Sequence, residues 1–247
     1  MLPRPIPVVY LAFFCLLAGC ATTPRSSADA KRQEVIENTS SVMVIVLQSD
    51  VYRLTSGGVT EKVDEWCEQA ERNLRDAAVS LLSGKPMLVV KTYPESMMSA
   101  ADRVNLNDTR ALAGAVVASI RLHVSGAVAQ QFYDKIENFD YSLGAEVKSL
   151  ARGADALLFI SSIDVNPTAA RQAVQAGMLL VTLPTILFGG IPVVLPGEFN
   201  VSSAMLVEAE SGAVLWHKFY LSRDAHDLTT PLKTTEFMET LLRQLPI

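Results

Sequence analysis

Histidines, cysteines and acidic side chains are the residues here that could bind a metal or act in catalysis. The histidines, His123, His217 and His226, do not lie at metal-ligand spacing from a Cys, Asp or Glu on one helix face. No GxSxG, HExxH or phosphate-binding loop motif occurs. Asp155 and Asp164 could flank one strand, but about nine residues at 3.3 Å each would separate them by roughly 30 Å. That distance is too long for a glycosidase pair, so we expect no catalysis, no cofactor and no metal.

The first twenty residues, MLPRPIPVVYLAFFCLLAGC, have the layout of a secretory signal. One positive charge, Arg4, precedes the apolar stretch 8–17. That stretch has about ten residues, whereas a helix that crosses a membrane needs about 20. It therefore predicts a targeting segment, 1–19, and not a membrane anchor.

Leu17, Ala18, Gly19 and Cys20 resemble the lipobox of bacterial lipoproteins. The resemblance implies cleavage between Gly19 and Cys20, a diacylglycerol on the Cys20 thiol and a further acyl chain such as palmitate on the new amino terminus. Several acyl chains on one residue hold a protein firmly on a membrane, since each buried CH₂ contributes about 0.8 kcal/mol. The alternative is an ordinary signal peptide followed by a chance cysteine.

The stretch 20–40 is rich in Ser, Thr, Ala and charge and has no apolar periodicity, which predicts a flexible tether after the lipidated cysteine. Ala21 occupies the position where an aspartate signals inner-membrane retention in lipoproteins of Gram-negative cells. The resemblance therefore implies the cell outer membrane, on its periplasmic side, over inner-membrane retention.

Composition excludes some classes of partner. The formal net charge is -5, so the chain has no basic field for nucleic acid. With Cys15 removed and Cys20 lipidated, Cys67 has no disulfide partner. Its position beside Trp66 at helical spacing favours a buried small hydrophobe over a reactive thiol.

Alternating strand and helix patterns predict an α/β (α+β) fold with a mixed sheet of about five strands and helices packed on it, in a single domain at 41–247. We expect strands at 42–47, 87–93, 156–162, 200–208 and 213–221, with a loop at 48–58. We expect helices at 59–82, from a cap at Asn107 or Asp108 to Ile136 with a stripe that begins at Leu112, from a Ser142 cap to Arg152, and from Pro231.

An apolar segment, 173–197, lies within 26 residues that carry no charge, between Arg171 and Glu198. It could pack on the sheet of its own domain, form an exposed contact surface, or insert into a membrane. Its prolines and glycines would break a single spanning helix. The candidate contact residues are Leu180, Leu183, Ile186, Leu187 and Phe188.

The stretches 153–163, GADALLFISSI, and 201–216, VSSAMLVEAESGAVLW, resemble a group of envelope lipoproteins. This group includes the curli secretion channel lipoprotein, the lipoprotein activators of penicillin-binding proteins and the amino-terminal domain of the Tol translocation protein. The resemblance implies a fold similar to an anticodon-binding domain. The curli channel inserts two hairpins where this sequence has one apolar segment, which weakens a channel assignment.

The sequence therefore predicts a non-catalytic, membrane-anchored periplasmic lipoprotein that acts as an interaction or assembly module of the cell envelope. Its partner would be the membrane through Cys20, together with another envelope protein or a second copy in a homo-oligomer. The alternative is an oligomeric component of an outer-membrane secretion or export apparatus. A third class, a hydrolase with an unrecognised site, would need polar groups that converge in a pocket.

Overall fold

The computed structural model describes residues 27–93, 98–124, 133–173 and 197–247. The helices and strands in these ranges are α1 Ser27–Glu37, β1 Ser41–Leu54, β2 Thr60–Lys62, α2 Asp64–Ser83, β3 Val89–Thr92, α3 Ala100–His123, α4 Tyr133–Asn138, a 3₁₀ turn Ala145–Val147, α5 Lys148–Ala151, β4 Ala156–Pro167, β5 Phe199–Glu208, β6 Val214–Ser222 and α6 Pro231–Leu242. The predicted signal sequence, Cys20 and most of the apolar segment lie outside the described residues.

The described strands form one mixed sheet, as predicted, with six strands in place of about five. The strand order is β2-β1-β4-β5-β6, and β3 also pairs with β1. β1 runs parallel to β3 and β4, whereas the other neighbouring pairs are antiparallel. Because β4 pairs with β1 along nearly its whole length, β3 and β2 share the opposite edge of β1.

Apolar side chains bury the centre of the sheet on both faces. The runs 42–47 of β1 and 156–160 of β4 are continuous and apolar, which is typical of strands that are covered on both sides. Consecutive residues point to opposite faces of a sheet. Leu158 and Phe159 accordingly lie in two different hydrophobic cores.

Helices cover both faces, so the fold has three layers. The first core lies between the sheet and helices α2 and α6 and includes Leu74 and Met238. The second core lies between the opposite face and α3, together with the segment 141–151, and includes Val116 and Ile120. Each buried aliphatic side chain of this kind contributes about 1.5–3 kcal/mol to folding.

The predicted loop at 48–58 is wrong in its first half, because β1 continues through Leu54. A β-bulge at Leu47 shifts the register of β1 against β4. The bulge reverses which side chains face which layer. The polar residues after it therefore pair with β4 in the sheet, whereas the sequence suggests a loop there. The helix predicted to start at Val59 starts at Asp64, because Thr60–Lys62 forms β2 against the end of β1.

Helix α3 begins earlier than predicted, because Ser99 caps it and Asn107 and Asp108 lie inside it. The Ser99 hydroxyl accepts a hydrogen bond from the Asp102 amide at 3.1 Å, and the Asp102 carboxylate accepts one from the Ser99 amide at 3.0 Å. This reciprocal capping box satisfies two amides at the helix start. Leu112 of the predicted stripe faces outward, since a strict step of four drifts around a helix.

The remaining predicted elements are present with small changes. The third strand extends to Pro167, and the hairpin of β5 and β6 and the helix from Pro231 are confirmed. Ser142 caps no helix, because its hydroxyl accepts a hydrogen bond from the Gly144 amide. The predicted tether contains helix α1, whose Ile36 is buried in the first core.

Candidate functional site

A buried polar network lies at the end of β4 and the start of β5. The face of β4 that carries apolar side chains early in the strand carries polar ones at its end, and β5 shows the same change in reverse. Ser162, Asp164, Asn200 and Ser202 form the network, and each is at most 2% exposed. Asp164 lies opposite Asn200, and Ser162 lies opposite Ser202, in the ladder between the two strands.

Asp164 is the centre of this network. Its Oδ1 accepts hydrogen bonds from Asn200 Nδ2 and from the His226 amide, both at 3.1 Å. Its Oδ2 accepts hydrogen bonds from Asn166 Nδ2 at 2.9 Å and from the Leu228 amide at 3.5 Å. Hydrogen bonds to a carboxylate are stronger than those between neutral groups. Asp164 therefore fixes the chain after β6 against the end of the sheet.

The side chain of His226 completes this corner of the fold. Its Nε2 lies 3.1 Å from the Tyr220 hydroxyl, and its ring packs against Phe237 at 4.7 Å between centroids. Burial lowers the pKa of His226, while the charges of Asp164 and Asp224 oppose this shift. The Tyr220 hydroxyl and the Phe237 ring thus hold the imidazole in place.

The network contains Ser, His and Asp, but it is not arranged for nucleophilic catalysis. A triad needs the histidine within hydrogen-bond reach of the serine and the aspartate on the other ring nitrogen. Here the Ser162 hydroxyl bonds Ser202 at 2.7 Å, and Asp164 bonds the backbone amide of His226 and not its ring. The buried serines therefore have a structural role.

A cavity of about 310 Å³ lies beside the network and is the strongest candidate for an enzymatic site. Glu198 and Asp227 line it together with Trp66. Burial raises the pKa of Glu198, and the charges of Asp224 and Asp164 raise it further. Two carboxyl groups whose pKa values are shifted apart are the usual arrangement for a general acid and a general base. The hydrogen bonds of the second carboxyl group, Asp227, therefore decide whether the cavity has this arrangement.

The carboxylate of Asp227 is engaged in its own turn. Burial opposes its charge, but hydrogen bonds from Thr229, Lys233 and Thr230 outweigh burial, and the pKa of Asp227 is lowered. The three donors lie at 2.7, 2.9 and 2.9 Å. Because both carboxylate oxygens already have donors, we assign no reaction to this cavity.

The outer face of α3 is apolar in the second half of the helix, 111–122, although it is exposed there; in the first half Arg103 and Asp108 are exposed. The side chains of Leu112 and Leu122 are each 43% exposed, while the inner face buries Val116 and Ile120. Small residues of the stretch 111–118 occupy the remaining outward positions. Exposed apolar side chains that lie together on one face mark contact surfaces, so this part of α3 is suited to contact with another surface.

The predicted site residues lie outside the described ranges. These are Gly19 and Cys20 at the predicted cleavage and lipidation site, and the candidate contact residues Leu180, Leu183, Ile186, Leu187 and Phe188.

Cys67 is a free thiol and is half-buried, and its Sγ lies 3.2 Å from the Val51 amide. His123 contacts Ser119, and His217 lies in β6 with its Nε2 buried.

Two features are absent from the described ranges. No group of three or more His, Cys, Asp or Glu side chains in these ranges could hold a metal ion. No helix in the same ranges is both long and apolar enough to cross a membrane.

The sequence contains a signal for the polar network that the prediction did not use. Ser162, Asp164 and Asn166 alternate with apolar residues, and Asn200 and Ser202 do the same. Period-two polar positions at the end of an apolar strand indicate a change from core to polar surroundings on one face. The donors that bond Asp164 depend on the pairing of β4 with β5, so they can be identified only from the folded structure.

No protein-family model matches the chain, and no curated protein sequence matches it. Among solved structures, the chain is similar to the LpoB C-terminal domain from Salmonella enterica, with 12% sequence identity over 80% of this chain and 98% of that chain. The TM-score is 0.26, so this likeness supports no conclusion about function.

Proposed function

We propose that the protein is a non-catalytic, membrane-anchored periplasmic lipoprotein that binds another envelope protein or a second copy of itself. The observation that carries the proposal is the exposed apolar outer face of α3, since exposed apolar patches of folded domains mark contact surfaces. The buried polar groups around Asp164 bond each other and leave no catalytic arrangement.

The proposed chain organisation is a signal peptide at 1–19, a lipidated Cys20 with a tether to residue 40, and one periplasmic domain at 41–247 on the outer membrane. The lipobox residues Leu17 to Cys20 support the anchor. Six residues, 21–26, lie between Cys20 and the start of α1 at Ser27, which is seven residue steps along the chain. Seven extended residues span at most about 25 Å, so a lipid on Cys20 would hold α1 close to the membrane surface.

The proposed contact surface combines the outer face of α3 with Leu180, Leu183, Ile186, Leu187 and Phe188 of the apolar segment. Both parts are apolar and uncharged at their centres. A chain that is already held by acyl groups needs no second anchor, which favours contact over membrane insertion for this segment.

The anchor is tested by replacing Cys20 with serine and following incorporation of labelled palmitate together with envelope fractionation. We expect the label to disappear and the protein to leave the membrane fraction. Cys67→Ser is the matched control and should keep both the label and the location. Retention of the label in Cys20→Ser would show that the lipid is elsewhere.

The contact surface is tested by cross-linking intact envelopes that contain wild type or the Leu112→Gln, Leu122→Gln double variant. We expect cross-linked species for wild type and their loss in the variant, with unchanged stability because both side chains are exposed. Leu232→Gln, at an exposed position of α6, is the control.

Recovery of only the monomer from wild-type envelopes would contradict the proposal. Leu180→Ser with Leu187→Ser tests the apolar segment in the same way, since loss of folding would identify core and loss of cross-links would identify contact. Electron microscopy of the detergent-extracted protein separates the alternative, because rings would indicate a secretion or export component.

A further inference from the structure

Helix α1, Ser27–Glu37, packs on the rest of the domain mainly through its last turn. Among its described side chains, 29–37, Ile36 is the one that is buried, and Val35 packs against the first core while it is only partly buried. The residues of α1 before Val35 carry no apolar side chain larger than alanine. A helix that packs firmly on a domain normally has an apolar stripe along its length, and in α1 this stripe is confined to one end.

Two cavities border α1. Their volumes are about 550 and 370 Å³, and Lys31 and Val35 line both of them. The far wall of the first cavity includes residues between 148 and 155, whereas that of the second includes 138–142, so α1 separates the two. Protein interiors contain few voids larger than a water molecule. The helix therefore lies across hollow spaces and fills no close-fitting groove.

The side-chain contacts of α1 add little to this packing. The Arg32 guanidinium lies 5.0 Å from the centre of the Phe139 ring, and it also pairs with Asp29 of its own helix. A cation over a ring near the surface contributes little to stability. An isolated helix of 11 residues is only marginally stable in water. Helix α1 thus depends on its docking, and the docking depends on Val35 and Ile36.

The docked state also has an unfavourable contribution from a buried polar group. Tyr141 lines the second cavity and is 7% exposed, and its hydroxyl has no hydrogen-bond partner among the described residues. A buried hydroxyl without a partner destabilises the state in which it is buried. Departure of α1 would open this cavity and give water access to its wall, which favours the undocked state.

The chain that follows α1 is fixed independently of the helix. The Asp155 carboxylate accepts hydrogen bonds from the Ser40 amide at 3.0 Å and from the Ser41 amide at 2.9 Å. From there β1 pairs with β3 on one side and β4 on the other. A weakly packed helix thus joins a firmly held strand, and residues 38–40 form the hinge between them.

We propose that α1 is a releasable strap, a helix that alternates between the docked position and a released one while the sheet stays folded. Such opening of one element is typical of parts of a fold with few buried apolar contacts. In the docked state the chain from Cys20 to α1 spans at most about 25 Å. When α1 is released and unwound, twenty residue steps from Cys20 to Ser40 span at most about 70 Å.

Release therefore changes how far the domain can lie from a membrane that holds Cys20. A partner that is bound beyond the reach of the docked state would select the released state, because only that state reaches it. This effect on distance rests on the lipid anchor proposed above, whereas the release of α1 does not.

The test measures distances between pairs of spin labels in the full lipidated chain in detergent micelles, with Cys67→Ser as the background. The first pair, Glu34→Cys with Glu210→Cys, joins α1 to the hairpin turn across the first cavity. The control pair, Lys148→Cys with Glu210→Cys, has no label on α1, and its native side chains are in contact at 2.7 Å. We expect a short distance for both pairs when α1 is docked.

Val35→Ser with Ile36→Ser removes the apolar contact of α1. We expect the short distance of the first pair to become long and broad in this variant, while the control pair stays short. Hydrogen exchange of the wild-type protein should be at least 100-fold faster at the amides of 33–37 than at those of 43–46. If the double variant loses protection at 43–46, Val35→Ser with Arg32→Ala replaces it, since both side chains are only partly buried.

The effect on reach is measured by energy transfer from a dye at Glu210→Cys to a dye in a supported bilayer. The variant with the serines at 35 and 36 should lie farther from the bilayer than the wild type. In Cys20→Ser the spin-label distances should respond to the same serines as in the lipidated chain. If that chain shows release but the wild type does not bind the bilayer, the lipid anchor is wrong and the effect on reach is rejected with it, while the strap stands.

Two results would overturn the strap itself. These are an unchanged short distance for the first pair in the serine variants, and exchange at 33–37 as slow as at 43–46. Equal distances from the bilayer for the wild type and for a variant with released α1 would overturn the effect on reach.

Discussion

Replacing Asp164 with asparagine should destabilise the fold by about 3 kcal/mol. The substitution keeps the shape of the side chain but turns one acceptor oxygen into an NH₂ donor. Each Asp164 oxygen faces at least one N–H donor, with Asn200 and His226 on one side and Asn166 on the other. Whichever way the new amide points, two donors oppose each other in a buried position.

The magnitude follows from the hydrogen bonds that are lost. A hydrogen bond to a charged group contributes about 1.5–3 kcal/mol, and a buried donor left without an acceptor costs about 1–3 kcal/mol. Asp164→Ala removes all of these acceptors and should cost about 5 kcal/mol. For a domain of this size 1 kcal/mol shifts the melting temperature by about 2–4 °C, so Asp164→Asn should melt roughly 6–12 °C lower.

The assay is urea unfolding followed by tryptophan fluorescence, with the free energy of unfolding extrapolated to water. Asp140→Asn is the matched control, because the Asp140 carboxylate is exposed and pairs with Lys135 on the surface. Exposed pairs contribute about 0–1 kcal/mol. If the free energy of unfolding of Asp164→Asn lies within 0.5 kcal/mol of the wild-type value, the stabilising role assigned to the network is refuted.

Other substitutions test the turns and the buried histidine. Gly212 has a φ of +71°, and a Cβ there would overlap the backbone of Gly144, so Gly212→Ala should lower the free energy of unfolding by at least about 2 kcal/mol. Gly114→Ala, in α3 with nothing within 4 Å of its Cβ, should raise that free energy by about 0.5–1 kcal/mol in the same urea assay. Burial lowers the pKa of His217 from 6.5 to about 4. As the pH falls, His217 therefore binds a proton at a higher pH in the unfolded chain than in the folded protein. The stability that neutral His217 contributes is complete above pH 6.5. It is lost as the pH falls towards 4, by about 3 kcal/mol in total; urea titrations at pH 7, 5.5 and 4 should show this slope, and His217→Gln should remove it. An unchanged slope in that variant would assign the pH dependence to other groups.

The central strands and the hairpin could be predicted from sequence because continuous apolar runs and turn residues identify them locally. Val42 to Leu47 can hardly be anything but a buried strand, and Gly212 marks the hairpin turn. The second half of β1 could not be predicted in the same way. The bulge at Leu47 changes parity, and the polar residues after it have partners only in the folded sheet.

The predicted start of α3 is wrong because the apolar stripe is a poor guide to where this helix begins. The stripe begins late, whereas the capping signal, Ser99 followed three residues later by Asp102, lies well before it. The polar network shows a different limit. Its members could be found from alternation, but their bonding to the chain after β6 is set by contacts more than 60 residues apart.

The parallel pairing of β1 with β4 has a consequence for how the chain is made. Val42 pairs with Ala156, which is synthesised 114 residues later. At about 5–20 residues per second, β1 waits on the order of ten seconds for its central partner. During that time its apolar run, rich in β-branched residues, is an aggregation-prone segment with only the short β3 available as a neighbour. A chaperone that holds unfolded chains should therefore raise the yield of this protein.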